Sequence, residues 1–222
     1  MTLMATEVTK TLQSVQQPAL PLPPVQYSKL YQDQYNNVLR LYFNRLSASL
    51  NALTGDSGGQ YVPYPNLLVF NTAEQFFAAP DVMEPVVFNN TYLAYGLQLR
   101  SGSTSEIEAL VNGIYNFQYT GQVSSGSSSA KTMYVWIARN DVDIGYSTRA
   151  VTLSSNNESK EVTWAFNIDL QIGDYIEMRA AVDDTDLHLH AEVASAVHPG
   201  IPSGVMTVNY VAPLPSTLPT PP

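Results

Sequence analysis

Ile114-Tyr115-Asn116-Phe117-Gln118-Tyr119-Thr120 places an aromatic ring at every second position and a polar side chain between. A period of two belongs to a β-strand with one buried and one wet face. Just before it, Asn112-Gly113 is a strong tight-turn pair, fed by Ile107-Glu-Ala-Leu-Val111. After it, Ser124 to Ser129 reads as a low-complexity loop, and Met133-Tyr-Val-Trp-Ile-Ala138 as a run of β-formers turned by Arg139-Asn140-Asp141. The same grammar recurs in Val86–Phe88, Tyr92–Leu99, Val151–Leu153, Val162–Ile168, Tyr175–Val182, Leu187–Ala191 and Val205–Val211. About nine short strands separated by turn residues predict a mainly β, antiparallel sandwich or barrel over residues 85–212.

Upstream the pattern changes. Residues 27–54 hold no Gly or Pro, and Leu39, Phe43, Leu46, Leu50 and Leu53 are spaced as one seam of a helix. Tyr31, Tyr35, Val38 and Tyr42 form an adjoining stripe. Ser28 is the expected N-cap and Gly55 the expected stop. Two adjoining stripes make a wide apolar face, which suits a three-stranded association between subunits. Residues 55–84 open on Gly55-Asp-Ser-Gly58-Gly59, carry Pro63 and Pro65, and are expected to be an irregular linker. Residues 1–26 end in Pro18, Pro21, Pro23 and Pro24 and predict an extended arm. Its Leu12, Val15, Leu20, Leu22 and Val25 give a partner something to bury, with Leu20, Leu22 and Val25 as the docking residues. Residues 213–222 form a second proline tail.

Composition narrows the function. Hydrophobic residues make up 45% and charged residues only 13%, with a net charge of −9. Residues 1–54 carry +2, so the acidity belongs to the remainder, and a broad nucleic-acid surface is excluded by repulsion of phosphates. With no cysteine there is no disulfide, zinc ribbon or thiol chemistry. No apolar run is long enough for a transmembrane helix, and Met1 to Gln17 lacks the apolar block of a secretory signal.

Catalytic motifs such as GxSxG, HExxH or a phosphate-binding glycine loop are absent, and no cofactor or enzymatic activity is expected. His188-Leu-His190 puts two imidazoles on one strand face, with Asp186 just ahead, which makes these three a weak metal candidate set. Asp141-Val-Asp143-Ile-Gly145 has half of a calcium loop, though hairpin turns favour the same residues.

Several of these stretches resemble the C1q/TNF-like jelly roll. They are Gly113-Ile-Tyr115-Asn-Phe117, Tyr134-Val-Trp136-Ile-Ala-Arg139-Asn140, Leu170-Gln-Ile-Gly173-Asp174-Tyr-Ile176 and the final strand Val205–Val211. The resemblance implies a ten-stranded jelly-roll β-sandwich that packs as a homotrimer through aromatic-rich faces, here Tyr115, Phe117 and Tyr119. The chain departs from animal C1q proteins in having no collagen stalk, no cysteine and no matching last-strand aromatic motif, so receptor-contact residues do not carry over. Asp33-Gln-Tyr-Asn-Asn-Val38-Leu-Arg-Leu-Tyr42-Phe-Asn-Arg-Leu46 ahead of such a domain is similar to virion proteins of marine tailed phages, especially cyanophages. That likeness implies a homotrimeric fibre, spike or appendage subunit on the capsid or tail surface. Its arm would bind phage capsid or tail proteins, and its head would contact a host-surface glycan or protein through loops such as 101–105, 124–130 and 183–186. The alternatives are a capsid decoration protein and a secreted C1q/TNF-like ligand.

Overall fold

The computed structural model describes residues 15–55 and 64–214; Leu12, the Gly58-Gly59 pair and most of the second proline tail lie outside them. The chain divides into two units, residues 1–63 and 64–222.

In the first unit, α1 runs Lys29–Thr54, 26 residues, about 39 Å at 1.5 Å per residue. Ser28 caps it as expected: the backbone is extended there, and the Ser28 hydroxyl oxygen accepts from the Tyr31 N–H at 3.3 Å. The Gly55 N–H donates to Asn51 O at the other end, at 2.9 Å. The arm doubles back along the helix. The Tyr31 hydroxyl donates to the Pro21 carbonyl at 3.3 Å. Farther on, Val15, Gln16, Gln17 and Pro18 share a shallow groove with Val38, Leu41, Tyr42 and Arg45. Val15, Pro18 and Pro21 are half-buried while their neighbours are exposed, a three-residue repeat that matches a polyproline-type chain. The arm therefore covers the Tyr31, Tyr35, Val38, Tyr42 stripe. No residue of α1 is fully buried, and no helix among the described residues is long and apolar enough to cross a membrane.

The second unit contains β1 (Asn66–Asn71), β2 (Gln75–Phe76), β3 (Glu84–Pro85), β4 (Asn90–Tyr95), β5 (Leu97–Leu99), β6 (Glu106–Ala109), β7 (Gly113–Ser125), β8 (Lys131–Arg139), β9 (Val142–Asp143), β10 (Arg149–Leu153), β11 (Ser159–Leu170), β12 (Tyr175–Val182), β13 (Leu187–Leu189) and β14 (Gly204–Ala212). The first sheet runs β2-β13-β7-β14-β1-β4, with β11 along the free edge of β7; the second runs β10-β8-β12-β6-β5, with β3 on β12 and β9 on β8. Every pairing is antiparallel. The frame is β1-β14-β7-β11 facing β6-β12-β8-β10, and the chain crosses between layers in the order of a jelly roll.

β7 is the centre of the first sheet. It pairs with β11 from Gly113↔Leu170 to Ser124↔Ser159 without a break. Its inward residues Tyr115, Phe117, Tyr119 and Val123 pack against Met133, Val135 and Ile137 of β8, Ile176 and Met178 of β12, and Trp164 and Ile168 of β11. Each large ring so buried contributes roughly 1.5–3 kcal/mol.

This placement corrects three expectations. Tyr115, Phe117 and Tyr119 are at most 1% exposed and lie inside the sandwich, not at a subunit interface. Alternation says that one face is buried, and here the opposite layer of the same chain buries it. The domain also begins at about residue 64, not 85. β1 sits between β14 and β4 with Leu67 and Val69 inward, so the expected linker contains a central strand. Its flanking prolines hid a short alternation. Finally, Asn112-Gly113 is a crossover between sheets rather than a hairpin. Gly113 has an ordinary negative φ, and a Cβ there would meet the Tyr210 ring at 2.3 Å. Asn112 Oδ1 instead accepts from the Ile172 N–H at 2.7 Å, and the Tyr115 hydroxyl donates to Val111 O at 2.6 Å.

Candidate functional site

Three features of the surface stand apart. The first is the uncovered stripe of α1. Of the seam neighbouring the tyrosine stripe, Phe43, Leu50 and Leu53 are exposed, Phe43 at 56% and Leu50 at 50%, while Leu39 and Leu46 are half-buried. A lone helix of this length is marginal in water, so an open apolar seam is a surface that wants cover. Of the arm's docking residues, Leu20 is partly exposed and Leu22 and Val25 are almost wholly so, beside exposed Tyr27 and Leu30. They cluster at the bend between arm and helix.

The second feature is a contrast between the two sheet faces. The outer face of the first sheet has a mostly neutral centre, Leu68, Asn116, Gln118, Ala165, Asn167, Thr207 and Asn209, flanked on β11 by Asp169, opposite Ile114, and Glu161, opposite Gln122. The Asn116 amide donates to Asn167 Oδ1 at 2.8 Å, and the Gln118 amide to Asn116 Oδ1 at 2.7 Å. The second sheet carries a denser ionic network. Arg179 contacts Glu177 at 2.8 Å, Asp143 at 3.0 Å and Asp141 at 3.2 Å. Arg100 pairs with Glu106 at 2.9 Å and stacks over Tyr175.

Asp141 and Asp143 thus hold a guanidinium. The first of them belongs to the β8–β9 hairpin turn, where Asn140 and Asp141 have φ of 49° and 66°. The next turn along that end, Gln171-Ile-Gly173-Asp174, has Gly173 at φ 88°. Asp174 joins the two turns: Arg139 Nη2 donates to it at 2.6 Å and Asn140 Nδ2 at 2.7 Å. Burial works to raise the Asp174 pKa. The Gln171 N–H, the Asn140 amide and the Arg139 guanidinium overcome that and hold it below the usual carboxylate value.

The third feature gathers every histidine of the chain. β13 adds to the edge of β7 and in turn receives β2, pairing His188 with Phe76 and Leu189 with Gln75. Leu187 and Leu189 point into the core, so His188 and the following His190 share the outer face. The two-residue strand β2 brings Glu74 alongside. Glu74 Oε1 lies 3.0 Å from His190 Nδ1 and 3.9 Å from His188 Nε2. His190 Nε2 is 3.2 Å from Glu192 Oε1, whose other oxygen is 3.9 Å from His198 Nε2. His188 is stacked on Phe76 with ring centroids 4.8 Å apart.

Among the described residues, Glu74, His188 and His190 form a group whose ligand atoms all lie within 4.8 Å of one another. Asp186, the third member expected from sequence, is not in it. β13 starts only at Leu187, and Asp186 is held in the preceding turn with its N–H on Asp184 Oδ1 at 3.0 Å. Glu74 replaces it. Nothing local in the sequence marks Glu74, because it arrives by a long-range strand pairing.

No protein-family model and no curated protein matches the chain. Among solved structures it is similar to the globular domain of zebrafish complement 1qA protein, at 15% identity and a TM-score of 0.41, covering 68% of this chain and all of that one. It is also similar to Eiger TNF from S. frugiperda, at 10% identity and a TM-score of 0.47, covering 72% of this chain and 99% of that one.

Proposed function

We propose that this chain is a non-enzymatic structural subunit that associates with copies of itself as a homotrimer and displays its jelly roll on a surface. The observation that carries the reading is the exposure of Phe43, Leu50 and Leu53 along one seam of α1, while the arm lies against the stripe beside it. The neutral centre of the first sheet's outer face, around Asn116, Gln118, Asn167 and Thr207, supports it, since the middle of a surface that meets a copy of itself avoids like charges. The ion-bearing second sheet and the loops then face outward. Three weak contact sites on one axis act together as a strong one without a deep pocket. The place that fits best is the virion of a tailed phage, as a fibre, spike or appendage. This step rests on the likeness of Asp33–Leu46 and the sandwich behind it to marine phage virion proteins.

The test is light scattering on the full chain. The expected mass is three times the 24.3 kDa of one chain. Leu50→Asp should lower it, because a carboxylate in an apolar seam costs a few kcal/mol per site. In a lone chain the same position is half exposed and tolerates the change. A single-chain mass for the unmodified protein at micromolar concentration removes the reading. Mass spectrometry of purified particles tests the virion placement separately.

A further inference from the structure

The geometry points to a binding site for a divalent transition-metal ion of the zinc class at Glu74, His188 and His190, with Glu192 as the residue that orients His190. We draw this from hydrogen-bond accounting at His190. Its Nδ1 sits 3.0 Å from Glu74 Oε1 and its Nε2 sits 3.2 Å from Glu192 Oε1. A carboxylate only accepts, and a neutral imidazole has one N–H. One of the two contacts is therefore unsatisfied unless a cation, proton or metal, lies at the ring. With the N–H on Nε2 facing Glu192, Nδ1 presents a lone pair toward Glu74. A carboxylate that fixes the tautomer from behind is the usual second layer of a metal-binding histidine.

His188 is what favours a metal over a proton alone. A third donor stands close by: His188 Nε2 lies 3.9 Å from Glu74 Oε1, too far for a hydrogen bond but within the span of a shared ion. Two imidazole nitrogens and a carboxylate oxygen are a donor set suited to zinc-class ions. Ligands of a tetrahedral ion with bonds of about 2.0–2.2 Å stand roughly 3.3 Å apart. Glu74 and His190 are already that close, and His188 needs a shift of about an ångström by side-chain rotation. The imidazole carriers are well supported: β13 is hydrogen-bonded to β7 and β2, and His188 is stacked on Phe76. The fourth position faces solvent and would take water. An ion there ties the two-residue strand β2 to β13 and closes the edge of the first sheet.

The test uses untagged full-length protein stripped by a chelator, with Zn2+ alone followed by calorimetry and Co2+ followed by visible absorption. The expected result is one ion per chain, a Co2+ spectrum of low coordination number, and a thermal midpoint raised by Zn2+. Glu74→Gln, an exposed change that leaves the fold intact, should weaken Zn2+ at least tenfold, and His190→Ala should abolish stoichiometric binding. Glu192→Gln should weaken it about 10–100-fold. His198→Asn should bind as the unmodified protein does. Absence of stoichiometric Zn2+ uptake at tens of micromolar overturns the proposal. So does binding that survives Glu74→Gln unchanged or is lost with His198→Asn.

Discussion

Tyr119→Phe is expected to stabilise the sandwich. The Tyr119 side chain is 1% exposed, and its hydroxyl is buried with no hydrogen-bond partner among the described residues. Burial also pushes its pKa up, so the group stays a neutral phenol at any working pH. The ring lies over two glycines. A Cβ added at Gly121 would meet the hydroxyl oxygen at 2.3 Å, and one at Gly204 would meet it at 3.2 Å. A buried hydroxyl without a partner costs about 1–3 kcal/mol. Removing it forfeits a few dispersion contacts of about 0.1–0.2 kcal/mol each. The net gain is about 1–2 kcal/mol, which for a domain of this size raises the melting temperature by roughly 2–8 °C. Urea unfolding followed by fluorescence of buried Trp164, the cross-strand partner of Tyr119, measures it directly. The midpoint should rise at unchanged slope. Gly121→Ala should do the reverse by about 1–3 kcal/mol through overpacking, and part of that loss should vanish in the double variant, since the oxygen is the nearest obstacle. A Tyr119→Phe protein destabilised by 1 kcal/mol or more refutes the argument, because the hydroxyl would then have a partner such as a trapped water.

Gly113→Ala drives a methyl into the Tyr210 ring at 2.3 Å and should lower the unfolding free energy read from urea titration by about 1–3 kcal/mol; a neutral result would show that β14 yields there. Asp174→Asn tests the joint between the two turns. The folded pKa of Asp174 lies below its unfolded value, so its contribution is complete above the ordinary carboxylate range and disappears as pH falls through the depressed value. The variant should be less stable by about 1 kcal/mol at pH 7, a modest figure because solvent screens the pair. That gap should close on acidification, and a gap independent of pH would assign the effect to something other than charge.

Much of the architecture can be read from residues 113–120 and the turn residues around them, because alternation is local and sterically enforced. The helix limits are equally local: the Ser28 hydroxyl caps the start, and at Gly55 the backbone turns extended. What alternation cannot reveal is which surface covers a buried face. Tyr115, Phe117 and Tyr119 show the ambiguity, since a sandwich interior and a subunit interface impose the same pattern on a strand. β1 is not legible in the sequence because Leu67 and Val69 are only two inward positions behind Pro65. Glu74 was invisible for a different reason. Its meeting with His190 spans 116 positions and exists only once β2 has paired with β13. Local grammar therefore exposes elements and half of a site, while the other half waits on topology.

The doubled-back arm also sets how the first unit responds to tension. Val15 ends up near Arg45, so tension between Val15 and Thr54 peels the arm from α1 one contact at a time. A pull entering at the Leu22–Tyr27 bend and leaving at Thr54 instead runs along the helix axis and strains all its hydrogen bonds in series. Tweezers with handles at residue 15 or at residue 26 should therefore record a soft, stepwise trace in one geometry and a stiff one in the other.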